Sequence, residues 1–323
     1  KMGIEKTKLK GGSLSSTYLV KEGDKKFIRK CVSLTNNREY GYVRWYTQLK
    51  KLQRFESDLP GLFPKIINVS YEDDEAYFDL EYLSNHKTLF EILTDESLDL
   101  KEVDKIHHAF QNALRAIHKF SYRPNAGAPL LYFKEEVEQK IEDALKYPEF
   151  EKFYNLGTYE HNGHIEHGLT NFLDELRNYF SELKLESEEH IHGNPTLENT
   201  MYSFADETIV FIDPYEESII DTKFLDYSMV LQSSHSHYEL LNSATVAYKD
   251  NMPSIKVKRL IEPLVYFNQL FHGSIKEEDK KLVDVLHATQ FIRMLPFKCA
   301  AGHVSHAKYF YLVACKLLRG AFG

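Results

Sequence analysis

The sequence predicts an α+β chain of two lobes, a small β-rich one followed by a larger helical one, on three observations. Strand-forming clusters separated by turn residues occupy the chain from Ile4 to Tyr82. Apolar residues at helical spacing dominate beyond that point. The length, 323 residues, exceeds what one small core organises. The expected boundary separates residues 1–83 from 84–323.

Taken in order, Thr17-Tyr18-Leu19-Val20, Phe27-Ile28-Arg29-Lys30 and Ala76-Tyr77-Phe78-Asp79-Leu80 read as strands, being β-branched and aromatic clusters between turn residues. The segment after Lys30 reads as an amphipathic helix carrying Glu39, Tyr42, Val43, Tyr46 and Leu49. Val103, Ile106, His107, Phe110, Leu114 and Ile117 mark a second helix, and Phe172, Leu173, Leu176, Tyr179, Phe180 and Leu183 a third. Within the helical part, residues 200–212 form an exception, because two β-prone runs flank Ala205-Asp206-Glu207 as in a hairpin. After Leu225 the pattern is helical through Leu318, with turns expected at Met252-Pro253 and His272-Gly273.

Composition narrows the function classes. With 40 Lys and Arg against 48 Asp and Glu, the net charge is −8, so the overall field does not favour nucleic acid or an anionic membrane. The longest apolar run, Tyr309 to Cys315, is far below the roughly 18 residues that span a bilayer, and no basic-then-apolar signal opens the chain. A cytoplasmic protein without a membrane span is expected. Cys31, Cys299 and Cys315 are too few and too scattered for a disulfide framework or a four-ligand zinc site, and read as reduced packing residues. His161, His164 and His167, and also His235 and His237, have no cysteine or well-placed acidic partner and read as structural or substrate-contacting histidines.

Three segments carry chemistry. Gly11-Gly12-Ser13-Leu14-Ser15-Ser16 precedes a strand, so backbone amides there can approach phosphate oxygens; a plain turn needs the same residues. Lys30 ends a strand and Glu39 lies on the next helix, and a strand lysine held by a helix glutamate presents a fixed positive charge to α- and β-phosphates. Arg29 faces the other side of that strand, and a slip of one residue gives it the role instead. The third segment is Ile191-His192-Gly193-Asn194-Pro195-Thr196-Leu197-Glu198-Asn199, followed by the hairpin and Val210-Phe211-Ile212-Asp213-Pro214. Two polar residues five apart on a tight loop, then an aspartate at the end of an apolar strand, can converge on one point.

Together these segments resemble the aminoglycoside phosphotransferase and choline kinase family of the protein-kinase-like fold. The family's catalytic loop reads His-Gly-Asp-x-x-x-x-Asn, and its magnesium-binding aspartate follows a short hairpin. On that resemblance His192 and Gly193 open the loop, Asn199 and Asp213 bind Mg2+, and Gly11, Gly12, Ser13, Ser15, Lys30 and Glu39 bind ATP or GTP. Glu81 to Leu83, in Leu80-Glu81-Tyr82-Leu83, is the implied hinge for the base, and a helix ending near Glu188 is implied to deliver the loop. The run from Asp213-Pro214 to Leu225-Asp226-Tyr227-Ser228 is most similar to the bacterial capsular and surface-polysaccharide phosphotransferases, which implies a sugar hydroxyl as acceptor before choline or an aminoglycoside. Tyr215, Tyr227 and Tyr238 follow the metal aspartate, where sugar sites place stacking faces.

One departure bears on activity. Asn194 stands where the family has its catalytic aspartate, and an amide cannot take the acceptor's proton. Three accounts are open: an introduced substitution that traps a complex, a natural pseudokinase that binds nucleotide or a partner, or an enzyme with another base. The retained Asn199 and Asp213 favour the first. A protein kinase is disfavoured because neither Asp-Phe-Gly nor Ala-Pro-Glu is present.

Overall fold

The computed structural model describes residues 3–9, 15–122, 126–258 and 260–323. The fold is α+β, with a β-rich amino-terminal part and a larger helical part. Contacts divide the chain into two units. Lys1–Ile92, His108–Ile117 and His192–Ser218 form the first, and Leu93–His107, His118–Ile191 and Ile219–Gly323 form the second. The segment with His192, Asn194, Asn199 and Asp213 thus belongs by contact with the β-rich residues.

The first unit is built on a five-stranded antiparallel sheet of order β1-β2-β3-β5-β4. Its strands are β1 (Ile4–Lys8), β2 (Ser16–Glu22), β3 (Lys25–Ser33), β4 (Ile66–Tyr71) and β5 (Glu75–Glu81). Glu22 pairs with Lys25, so Gly23 and Asp24 make a two-residue turn, and the left-handed φ of 58° at Gly23 suits a glycine. Helix α1 (Arg38–Asp58) follows β3 and buries Trp45, Leu49, Leu52 and Phe55. Trp45 packs on Phe78 of β5 at 5.3 Å between ring centroids and donates its indole N–H to the Lys30 carbonyl at 3.0 Å. Helix and sheet are thereby joined beside Lys30. Val43 and Tyr46, expected on the apolar stripe of this helix, are exposed instead; the buried stripe runs through Trp45.

The expected hairpin is present as Thr200–Ser203 paired with Thr208–Phe211, and Lys87–Thr88 adds a third strand to it. Phe63 links it to α1, stacking on Phe55 at 4.3 Å and lying 6.0 Å from Phe211. The Phe211 amide also donates to the Leu62 carbonyl at 2.8 Å.

The second unit is helical around Tyr132, Phe133, Phe150, Phe180, Phe291, Phe310 and Tyr311, all buried. Its helices include Leu173–Glu182, Lys223–Ser234, Glu277–Ala300 and Val304–Phe322. Two hairpins correct the all-helical reading. Val246–Lys249 pairs with Met252–Ile255, so Met252 and Pro253 are strand residues, and the turn is at Asp250-Asn251, both with positive φ. His161 and His164 flank the turn Asn162-Gly163 between Thr158–His161 and His164–His167. Both are two-residue turns with two left-handed positions, which the twist of an antiparallel pair selects. His272 and Gly273 lie in the last turn of the helix Glu262–Ser274, not beyond it. The helix expected to end near Glu188 stops at Glu182, and Ser187–Glu188 pairs as a short strand with Ser121–Tyr122. Among the described residues no helix is long and apolar enough to cross a membrane, and the three cysteines are buried free thiols.

Candidate functional site

The loop from His192 to Asn199 is held by its own hydrogen bonds. The Asn194 amide donates to His192 Nδ1 at 3.0 Å, so that nitrogen is the acceptor and Nε2–H donates to the Ile212 carbonyl at 2.8 Å. His192 is fully buried with both ring nitrogens used, and the Tyr215 amide donates to its carbonyl at 2.9 Å. His192 thus fixes the loop against the strand end, with both ring nitrogens engaged. Gly193 has φ +85°, and a Cβ there would lie 2.8 Å from Tyr215 Cβ, so a side chain is excluded by conformation and by space.

The next residues draw the polar side chains together. The Asn194 carbonyl accepts from the Thr196 amide at 2.8 Å and from Asn199 Nδ2 at 3.0 Å. The Ile212 amide donates to the Asn199 carbonyl at 2.9 Å, which puts Asn199 beside the strand end that carries Asp213. With Nδ2 donated, Asn199 Oδ1 has no partner among the described residues. Asn194 Oδ1 is buried and no donor faces it.

Asp213 adopts φ 50°, a left-handed conformation uncommon for a residue with a side chain. Its Oδ1 accepts from Lys30 Nζ at 2.8 Å and from Gln48 Nε2 at 2.8 Å, while its side chain stays 55% exposed. Desolvation by the groups packed around its inner oxygen pushes its pKa up even though the side chain is half exposed; the Lys30 charge and the hydrogen bonds from Lys30 and Gln48 outweigh this and hold it below the usual carboxylate range. Lys30 Nζ also donates to Gln48 Oε1 at 2.6 Å. The site thus has one fixed cation, one carboxylate with an outward oxygen, and two asparagine amides. An anion that takes the ammonium and a hard cation that takes the oxygens are what it can hold.

No family model and no curated protein matches the chain. Among solved structures, it is similar to a crystal structure of spectinomycin phosphotransferase in complex with ADP and spectinomycin. The sequence identity is 13% and the TM-score 0.49, covering 98% of this chain and 89% of that one.

The strand register is the expected one. Arg29 points away from Lys30, pairs with Asp79 at 2.8 and 2.9 Å and lies 3.8 Å over the Tyr77 ring. The helix partner of Lys30 is corrected: it is Gln48, and Glu39 is exposed in the first turn of α1. Nine positions separate the two, about 900° of helix rotation, so they lie on opposite faces. Glu81 ends β5, exchanges backbone contact with Lys65 and accepts the Lys65 amide on Oε1 at 3.0 Å; Leu83 accepts from the His86 amide. Ser15 directly precedes β2, while Gly11, Gly12 and Ser13 lie outside the described residues.

Sequence reasoning missed two groups. Arg44, Gln48 and Lys51 form a polar stripe on α1 that meets the segment after Asp213. Arg44 bonds Glu216 at 2.6 Å, Gln48 bonds the Pro214 carbonyl at 2.8 Å, and Lys51 bonds the carbonyls of Tyr215 at 2.7 Å and His192 at 3.3 Å. Their spacing of four and three residues was the available signal. The second group is the row Leu19, Ile28, Leu80 and Ile66, paired across four strands on the same face as Lys30 and half-buried. Register alone produces it.

Proposed function

We propose that this chain is a small-molecule kinase that binds ATP or GTP with Mg2+ and transfers the γ-phosphoryl group to a hydroxyl. The observation that carries the reading is two hydrogen-bonded pairs, Lys30 with Asp213 and Asn199 with Asn194, brought next to each other by the backbone bond from the Ile212 amide to the Asn199 carbonyl. The ammonium of Lys30 suits nucleotide phosphates, and the apolar row Leu19, Ile28 and Leu80 one pleat away suits a purine face, with Glu81 to Leu83 as the base-facing edge. Ser15 and the Gly11-Gly12-Ser13 segment are assigned to the phosphates on sequence resemblance.

The donor set fits Mg2+, since Asp213 Oδ2 and Asn199 Oδ1 are hard oxygens that no described protein group uses. When bound, the ion neutralises phosphate charge and orients the transferred group. Lys30 contributes a second positive charge, and Asn194 is assigned, on the sequence resemblance, to orient an acceptor hydroxyl without taking its proton. The acceptor class we favour is a sugar of surface polysaccharide, on the resemblance of the segment after Asp213.

A second reading is a pseudokinase that binds nucleotide without turnover. Asn194 favours it, because its buried amide oxygen can accept a hydrogen bond yet cannot hold a proton at neutral pH. The two readings separate in one experiment: turnover of ATP and GTP against sugars, choline and aminoglycosides, with the chain as given and with Asn194→Asp. Turnover in either form supports the kinase; nucleotide binding with no turnover in both supports the pseudokinase.

A further inference from the structure

The geometry points to Gln48 as the positioning residue that holds Asp213 ready for a divalent cation, and to its amide as the only chemistry that fits there. The inference rests on the kinase reading above, which makes Asp213 a metal ligand. Gln48 is 4% exposed, and three hydrogen bonds occupy its amide: Oε1 accepts from Lys30 Nζ at 2.6 Å, and Nε2 donates to Asp213 Oδ1 and to the Pro214 carbonyl, both at 2.8 Å.

The orientation of this amide is forced by its partners. Lys30 can only donate, and the Asp213 carboxylate and the Pro214 carbonyl can only accept, so a flipped amide would set oxygen against two acceptors and NH2 against an ammonium. A glutamate of the same length would keep Lys30 but bring its carboxylate against the other two oxygens with no proton between them. A glutamate at position 48 could therefore pair with Lys30 only by giving up the contacts that Gln48 makes to Asp213 and Pro214.

The two Nε2 bonds span the left-handed residue. One holds the Asp213 side chain and the other holds the carbonyl of the residue after it, on either side of a backbone whose φ is 50°. Such a conformation persists where surrounding contacts determine it. Gln48 supplies two of those contacts from a rigid, buried helix position. It turns Oδ1 inward toward Lys30 and itself and leaves Oδ2 outward.

The test compares the wild type with Gln48→Glu and with Gln48→Met, an apolar replacement of similar length that preserves the packing of α1. ADP binding is titrated calorimetrically at a series of Mg2+ concentrations and in EDTA. Both variants are expected to need at least about tenfold more Mg2+ for half of the metal-dependent gain in ADP affinity, with affinity in EDTA within about threefold of wild type because Lys30 remains. Wild-type Mg2+ dependence in a folded Gln48→Glu or Gln48→Met protein overturns the inference alone. ADP binding by the wild type that does not respond to Mg2+ overturns the kinase reading and this inference with it. Equal losses with and without metal in the variants show a purely structural role and also overturn it.

Discussion

At the scale of single residues, the kinase reading makes Asp213 the group on which metal-dependent binding turns. Asp213→Ala is expected to abolish the Mg2+-dependent part of nucleotide affinity, read by calorimetry; unchanged metal dependence sinks the assignment. Lys30 and Arg29 are neighbours with opposite duties. Lys30→Ala should weaken nucleotide binding, whereas Arg29→Ala should leave binding nearly intact and lower stability by about 1–3 kcal/mol, because Asp79 is left buried without its charge partner. Urea denaturation and nucleotide titration of both variants check this, and the reverse ranking contradicts it. Asn194→Asp is expected to raise phosphoryl transfer by about 10²–10⁴-fold, the usual contribution of a positioned base. No donor faces the buried Oδ1, so a carboxylate in its place keeps its basicity. A panel of acceptors measures the effect, and an inactive Asn194→Asp that binds nucleotide normally moves the balance to the pseudokinase.

At the scale of elements, α1 does more than cover the sheet. Its apolar stripe packs Trp45 on Phe78, and its polar stripe ties the segment after Asp213: Gln48 and Lys51 through backbone carbonyls and Arg44 through the Glu216 carboxylate. Lys51→Met keeps the aliphatic stem and removes the ammonium from two backbone carbonyls. It is expected to cost about 1.5–3 kcal/mol, the range for hydrogen bonds to a charged group, and to appear as a lower urea midpoint with an unchanged slope. No change in midpoint would show these bonds to be exchanged for water without loss. The sequence showed α1 as a helix but not which stripe mattered, since Tyr42, Val43, Tyr46 and Leu49 offer an equally regular apolar pattern. The sheet decided between the stripes, because Phe78 is presented only on the face where Trp45 can reach it. The two missed hairpins had a local signal in Asn162-Gly163 and Asp250-Asn251, short enough to be overlooked inside long helical stretches.

At the scale of the whole molecule, the helical unit contains a pH-sensitive group remote in sequence from the loop residues. His287 is buried, with Nε2 2.8 Å from the Ser236 hydroxyl and its ring 5.5 Å from that of His235. Burial, then the charges of His235 and His272, hold its pKa well below the ordinary 6.5. The unfolded chain therefore takes up this proton before the folded one does. The linked stability is fully present above pH 6.5 and is lost as the pH falls below that value. Melting temperatures from pH 7.5 to 5 should fall on the acid side, and the fall should be shallower in His287→Gln; identical profiles contradict the assignment.

The α+β class, the strands that flank Lys30, the face of β3 that Arg29 takes and the hairpin before Asp213 were determined by the sequence alone. Each is a local property, set by side-chain period, turn residues and motif spacing within a few residues of chain. Which helix residue meets Lys30 was decided only by tertiary structure, as was the use of both nitrogens of His192. The apolar row beside Lys30 belongs with them. The reason is that most of these contacts join separate elements, and those that Asp213 makes reach across the longest stretches of chain. Lys30 and Asp213 are 183 residues apart, and Gln48 and Asp213 are 165 apart. Such pairings follow from strand register and helix rotation, and about two and a half helical turns separate Glu39 from Gln48.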